Sequence, residues 1–172
     1  MAAEPIELYP VIAQIAAAFA GFGSLATGLG SRRGGDDARV DAFRLGQMLF
    51  ASLTGTLLGL LPAAFLALSF ETRWAVGAPA IAAVIALVIY IPLSLRNARR
   101  IRGVAGFSTV AGIANMISAT TALIAFALCA FDVPSGRGAD LFLVGMVGLL
   151  SSSIVMFSRV IASMLRPHSR GG

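Results

Sequence analysis

Gly21, Gly23 and Ala26, within "FAGFGSLATGLGSRRGG" (Phe19–Gly35), stand at the spacing of a dinucleotide-binding turn, GxGxxG/A. That turn grips a pyrophosphate only when a strand precedes the glycines and a helix begins at them. Here the preceding residues, Val11 to Ala20, are rich in Ala, the strongest helix former. Small residues also recur every fourth position, at Ala16, Ala20, Ser24 and Gly28, with Ala13, Ala17 and Gly21 on a neighbouring row. Such rows make a groove along a helix, and in lipid a groove lets a second helix pack closely. No GK[ST] follows the glycines, so a Walker phosphate loop is excluded. Gly21, Ser24 and Gly28 are therefore read as helix-packing residues. Gly55 and Gly59, a GxxxG on the row Ala51, Gly55, Gly59, Ala63, Ala67, repeat the device more strictly. Their packing serves either self-association or contacts inside a bundle.

Other chemistries lack their parts. A serine nucleophile needs a base, and the interiors of the apolar runs hold no His, Lys or carboxylate. The single Cys, Cys129, has no partner in the chain for a disulfide or thiolate site. The single His, His168, lies in the C-terminal tail and cannot supply bis-histidine haem ligation. The sequence leads to no catalytic residue, no metal and no cofactor, and to a non-enzymatic protein. What remains is a set of neutral polar groups inside apolar runs: Gln14, Gln47, Thr54, Thr56, Asn115, Ser118, Thr120, Thr121 and Ser151, Ser152 and Ser153. Polar groups at that depth bond between helices or line a hydrated path. Gln14, Asn115 and the serine triplet are the candidates for such a path.

These residues are carried by five apolar runs, at about 8–30, 45–70, 74–95, 109–131 and 141–165. Each can cross a hydrocarbon core of about 30 Å at 1.5 Å per helical residue. With 58% hydrophobic and 12% charged residues in a chain of 172, a water-soluble domain could not bury so much apolar surface. The reading is an all-α integral membrane bundle of five transmembrane helices, forming one domain over residues 1–172.

All 13 basic residues are Arg, which together with abundant Ala and Gly suggests a GC-rich bacterial genome. They sit between the runs or after the last, except Arg159 near the end of the fifth, and alternate in number from side to side. Arg32, Arg33, Arg39 and Arg44, then Arg96, Arg99, Arg100 and Arg102, then Arg159, Arg166 and Arg170 fall on one side. The other side holds Glu4, Glu7, Glu71, Arg73, Asp132 and Arg137. The positive-inside rule then places the N-terminus outside and the C-terminus in the cytoplasm. Because all but one of the arginines lie in these gaps or in the C-terminal tail, the net charge of +5 points to membrane topology and not to nucleic acid. The cluster Arg96, Arg99, Arg100, Arg102 can also attract anionic lipid headgroups, at about 1 kcal/mol per charge. The run-one tail carries Glu4 and Glu7 and no base, so it is read as a retained span and not a signal peptide.

Local boundaries follow from caps. Asp36 or Asp37 should start the second helix, Asp41 and Arg44 are spaced to pair, and Asp140 should cap the fifth. Tyr9 and Trp74 are expected at the outer interface and Tyr90 near the inner one. Pro62, Pro79 and Pro92 fall within spans and are expected to kink them.

"AQIAAAFAGFGSLA" (Ala13–Ala26), "FRLGQMLFASL" (Phe43–Leu53) with Pro62 beyond it, Trp74 opening the third span and "MFSR" (Met156–Arg159) together resemble uncharacterised small multi-pass bacterial inner-membrane proteins. The resemblance implies a five-span inner-membrane protein and assigns no chemistry. The functional expectation is action through helix–helix association, as a homo-oligomer or as a small subunit of a membrane complex. The alternative is a channel or facilitator for an ion or small solute. The expected partners are the lipid bilayer with its anionic headgroups and a membrane protein, which includes a second copy.

Overall fold

A computed structural model describes residues 5–30, 36–101, 103, 108–132 and 136–164, with side-chain surroundings for all of these except 5, 26–30, 36–38 and 164. Within these residues the chain forms five helices and no strand: α1 (Pro5–Gly30), α2 (Asp36–Ala67), α3 (Thr72–Ile101), α4 (Thr109–Ala130) and α5 (Gly138–Met164). All five are long and apolar enough to cross a membrane. Large apolar side chains such as Leu57, Ile85, Val88, Ile113, Ile124 and Val147 face outward. In water that surface would be an aggregation liability; in lipid it is the solvated one. The chain is a multi-pass membrane protein with an all-α fold.

The helices overrun the apolar runs. α2 starts at Asp36, as the acidic residues suggest, and Arg44 Nη1 pairs with Asp41 Oδ1 at 3.0 Å. α3 continues to Ile101, so Arg96, Arg99 and Arg100 are exposed on its last turns and not in a loop. Cations there oppose the partial negative charge of a helix C-terminus. α5 starts at Gly138, two residues before the expected cap, which leaves Asp140 in the first turn, where its charge still suits the dipole. α4 is capped by Ser108, whose hydroxyl accepts from Ala111 N at 3.4 Å. Pro10, Pro62, Pro79 and Pro92 lie inside helices that run continuously through them.

The α2–α3 turn ends α2 as a Schellman motif. Ser69 adopts φ 64, Ser69 N bonds Leu66 O at 2.9 Å, and Phe70 N bonds Phe65 O at 3.0 Å. The Phe65 and Phe70 rings, 5.4 Å apart, supply the apolar contact that accompanies this cap.

α5 is central and packs on each of the other four helices, while α1 sits at the edge against α2 and α5 alone. Close approach is set by glycine. A Cβ at Gly59 would lie 2.7 Å from Tyr9 O and 2.7 Å from Ala13 Cβ, and one at Gly55 would lie 3.4 Å from Ala16 Cβ. The GxxxG of α2 is thus filled by α1 of the same chain. On α5, a Cβ at Gly145 would lie 2.6 Å from the Phe126 ring, and one at Gly148 would lie 3.1 Å from Ser118 O. These two glycines seat α4 on α5, and the four-residue rows gave no sign of them because their spacing is three.

Candidate functional site

The interior has two halves of different chemistry. Toward the end where α4 finishes and α5 begins, the core is aromatic. Tyr9 packs on Phe142 at 5.0 Å and Phe142 on Phe126 at 5.3 Å, with Met146 and Cys129 buried beside them. Tyr9 is buried, and its hydroxyl donates to Ala139 O at 2.8 Å. Ala139 lies in the first turn of α5, so Tyr9 sits near the helix ends but faces the interior, where a carbonyl meets its hydroxyl. Trp74 is exposed at the start of α3, and Tyr90 is half-buried and stacked on Phe50 at 3.6 Å.

Toward the arginine-bearing end of α3 the core is polar. Gln47 Nε2 donates to Ser94 Oγ at 2.5 Å, Asn115 Nδ2 donates to Gln47 Oε1 at 2.8 Å, and Ser152 Oγ donates to Asn115 Oδ1. Four helices are tied in one chain of bonds: α3 to α2 to α4 to α5. Beside it Ser52 Oγ donates to Ser153 Oγ at 3.1 Å, and Thr56 Oγ1 bonds Ser52 O at 2.9 Å. Gln47, Ser52, Ser94, Asn115, Ser152 and Ser153 are all buried. In an apolar interior an unpaired amide costs about 1–3 kcal/mol, so this layer is stable only as a connected set.

A cavity of about 600 Å³ opens next to this layer, lined by α2, α3 and α4. Among the described residues α2 and α4 have no close backbone approach, and the Asn115–Gln47 bond crosses the gap between them. The α4 wall is one helical stripe, Thr109, Gly112, Ile113, Met116, Ile117 and Thr120–Thr121. The twelve helical steps from Thr109 to Thr121 give it a length of about 18 Å. Gln47 and Ser94 form a polar floor, Phe43, Leu95 and Ala98 add apolar wall, and Arg99 stands at the exposed end. Gln47 Nε2 has two hydrogens and donates one to Ser94, which leaves a second donor on a side chain that lines the cavity. The volume lies within the range of small-molecule sites, and the mix of apolar wall with a few convergent polar groups is typical of them.

The candidate path residues do not converge. Gln14 is exposed on the outer side of α1, away from Asn115. Ser151, Ser152 and Ser153 point about 100° apart around α5, as consecutive helical residues must. Ser152 meets Asn115, Ser153 meets Ser52, and Ser151 lines a separate groove with Ser118 and Thr121. The helix-packing set divides as well. Gly55 and Gly59 face α1, but Gly21 and Ser24 are exposed; Ser24 Oγ bonds Ala20 O of its own helix, and a Cβ at Gly21 would meet nothing within 4 Å. The surroundings of Gly28, and Arg102 altogether, lie outside the described residues. Ser52 and Ser94 are partners that sequence reading missed. A lone serine among apolar residues carries no spacing signal, and only the approach of another polar group marks it.

Among the described residues no group of three or more His, Cys, Asp or Glu side chains is placed to hold a metal ion. No protein-family model, curated protein or solved structure matches the chain.

Proposed function

We propose that this chain is a non-enzymatic protein of a bacterial inner membrane that binds an amphiphile drawn from the surrounding leaflet. The observation that carries the reading is the cavity of about 600 Å³ between α2, α3 and α4, apolar along α4, polar at Gln47 and Ser94, and cationic at Arg99. An acyl chain suits the 109–121 stripe, an ester or hydroxyl oxygen suits the Gln47 donor, and an acidic headgroup suits Arg99. The excess of arginine at that end supports a cytoplasmic placement for it, with the N-terminus outside. The cavity would then open at inner-leaflet depth, where anionic lipids meet arginines. A channel has less support. The polar bonds run across the bundle from α3 to α5, and Tyr9, Phe126, Phe142 and Met146 fill the other half of its interior.

Native mass spectrometry from mild detergent tests the reading. The wild-type chain should carry a bound amphiphile. Gly112→Leu, which fills the cavity from the α4 wall, should lose it while the melting temperature stays near the wild-type value. An identical bound species at equal occupancy in wild type, Gly112→Leu and Arg99→Gln would rule the cavity out as the site.

A further inference from the structure

α1 presents one face to α2 and α5, burying Tyr9, Ile12, Ala13, Ala16 and Gly23. Its opposite face carries Val11, Gln14, Ala18, Gly21 and Leu25, all exposed. Gln14 lies eight residues beyond Ile6, where the span begins, and so about 12 Å into it. That is near the middle of a hydrocarbon core of about 30 Å, too deep for a glutamine to reach either interface. Among the described residues no hydrogen bond to its side chain is present. Gln47 and Asn115, the buried carboxamides, bond to each other. A hydroxyl at such a site can donate back to its own helix, but the Gln14 carbonyl oxygen needs an N–H, and a mid-helix backbone has none to spare. Lipid offers none either, and each unsatisfied group there costs several kcal/mol.

We propose that two copies of the chain associate through α1, with Gln14 bonding Gln14 across a twofold axis. The amide is its own complement, because its NH₂ donates where its carbonyl accepts. Two copies inserted with the same topology share an axis along the membrane normal, which places both Gln14 side chains at one depth. The face between Val11 and Leu25 bears no charge, so its complement is an equally neutral helix, such as this one. Ala17, Ala18 and Gly21 lie on the exposed side within two turns of Gln14, and a Cβ at Gly21 would meet nothing in its own chain. These small residues allow the backbones to come close enough for the amides to meet. α1 contributes nothing to the cavity above, so the two proposals stand apart.

Energy transfer between donor- and acceptor-labelled full-length chains in liposomes, over a series of lipid dilutions, tests this. The wild type should associate. Gln14→Leu should associate about tenfold more weakly, Gly21→Leu should also weaken association, and Gln14→Asn should restore much of it. Melting temperatures of all three should stay near the wild-type value, because neither side chain has a partner in its own chain. A wild type that remains monomeric at every dilution, or a Gln14→Leu variant that associates like the wild type, overturns the proposal.

Discussion

At the scale of the residue, two glycines of the same helix, α2, have opposite surroundings. Gly59 lies under the backbone oxygen of Tyr9, and a carbonyl cannot step aside as a side-chain tip can. Gly59→Ala should therefore destabilise the bundle by about 1–3 kcal/mol, the usual cost of overpacking. Gly46→Ala, where an added Cβ meets nothing, should be neutral or stabilising by up to about 1 kcal/mol through helix propensity alone. Thermal melts of both variants in one detergent check the contrast, and equal melting temperatures would remove the packing role given to Gly59. Ser69 offers the reverse change. It holds φ 64 at the end of α2, a conformation that costs a non-glycine residue about 1–2 kcal/mol. Ser69→Gly should raise the melting temperature, since the bonds to Leu66 O and Phe65 O come from backbone N–H groups and survive the change.

At the scale of the element, the helices are held in register by a polar layer whose members each satisfy another. Removing one partner leaves the others unpaired. Asn115→Leu deprives both Gln47 Oε1 and Ser152 Oγ of their bonds and should cost about 1–3 kcal/mol. Gln47→Leu should cost a similar amount. The double variant should be more stable than the sum of the two losses implies, because the second substitution removes a group already orphaned by the first. Strict additivity in a double-mutant cycle would mean that the Asn115–Gln47 bond contributes nothing.

At the scale of the whole molecule, an aromatic half and a polar half divide the bundle, and arginines gather at the polar end of α3. An odd number of antiparallel spans puts the two ends of the chain on opposite sides. With Cys129→Ala as background, Arg100→Cys should react with a membrane-impermeant maleimide only from the cytoplasmic side of cells or inverted vesicles. Arg137→Cys should react only from the outer side. The opposite pattern would invert the orientation and move the cavity mouth to the outer leaflet. Arg73 and Asp132 approach to 3.8 Å at this second end, but Arg73 is largely exposed, so the pair adds little to stability.

What could be read from the sequence was whatever depends on amount and period. Five apolar runs of membrane length, the acidic start of α2 and the Asp41–Arg44 pair are local facts, and the helices follow them because lipid leaves the backbone no other way to satisfy itself. Facing is different, because it depends on which neighbour lies beside each helix. The rows through Gly21 and Gly55 look alike in sequence, yet α1 packs into the second, while Ala17 and Gly21 of the first face outward. Gln14 and Asn115 are both amides within spans, yet one turns to the outside and the other into a bonded layer with Gln47, Ser94 and Ser152. A helix presents every direction in turn, so composition and spacing place a polar group at a depth but not on a side. Only the packing of the other four helices around α5 assigns the side, and with it the cavity that α2, α3 and α4 line.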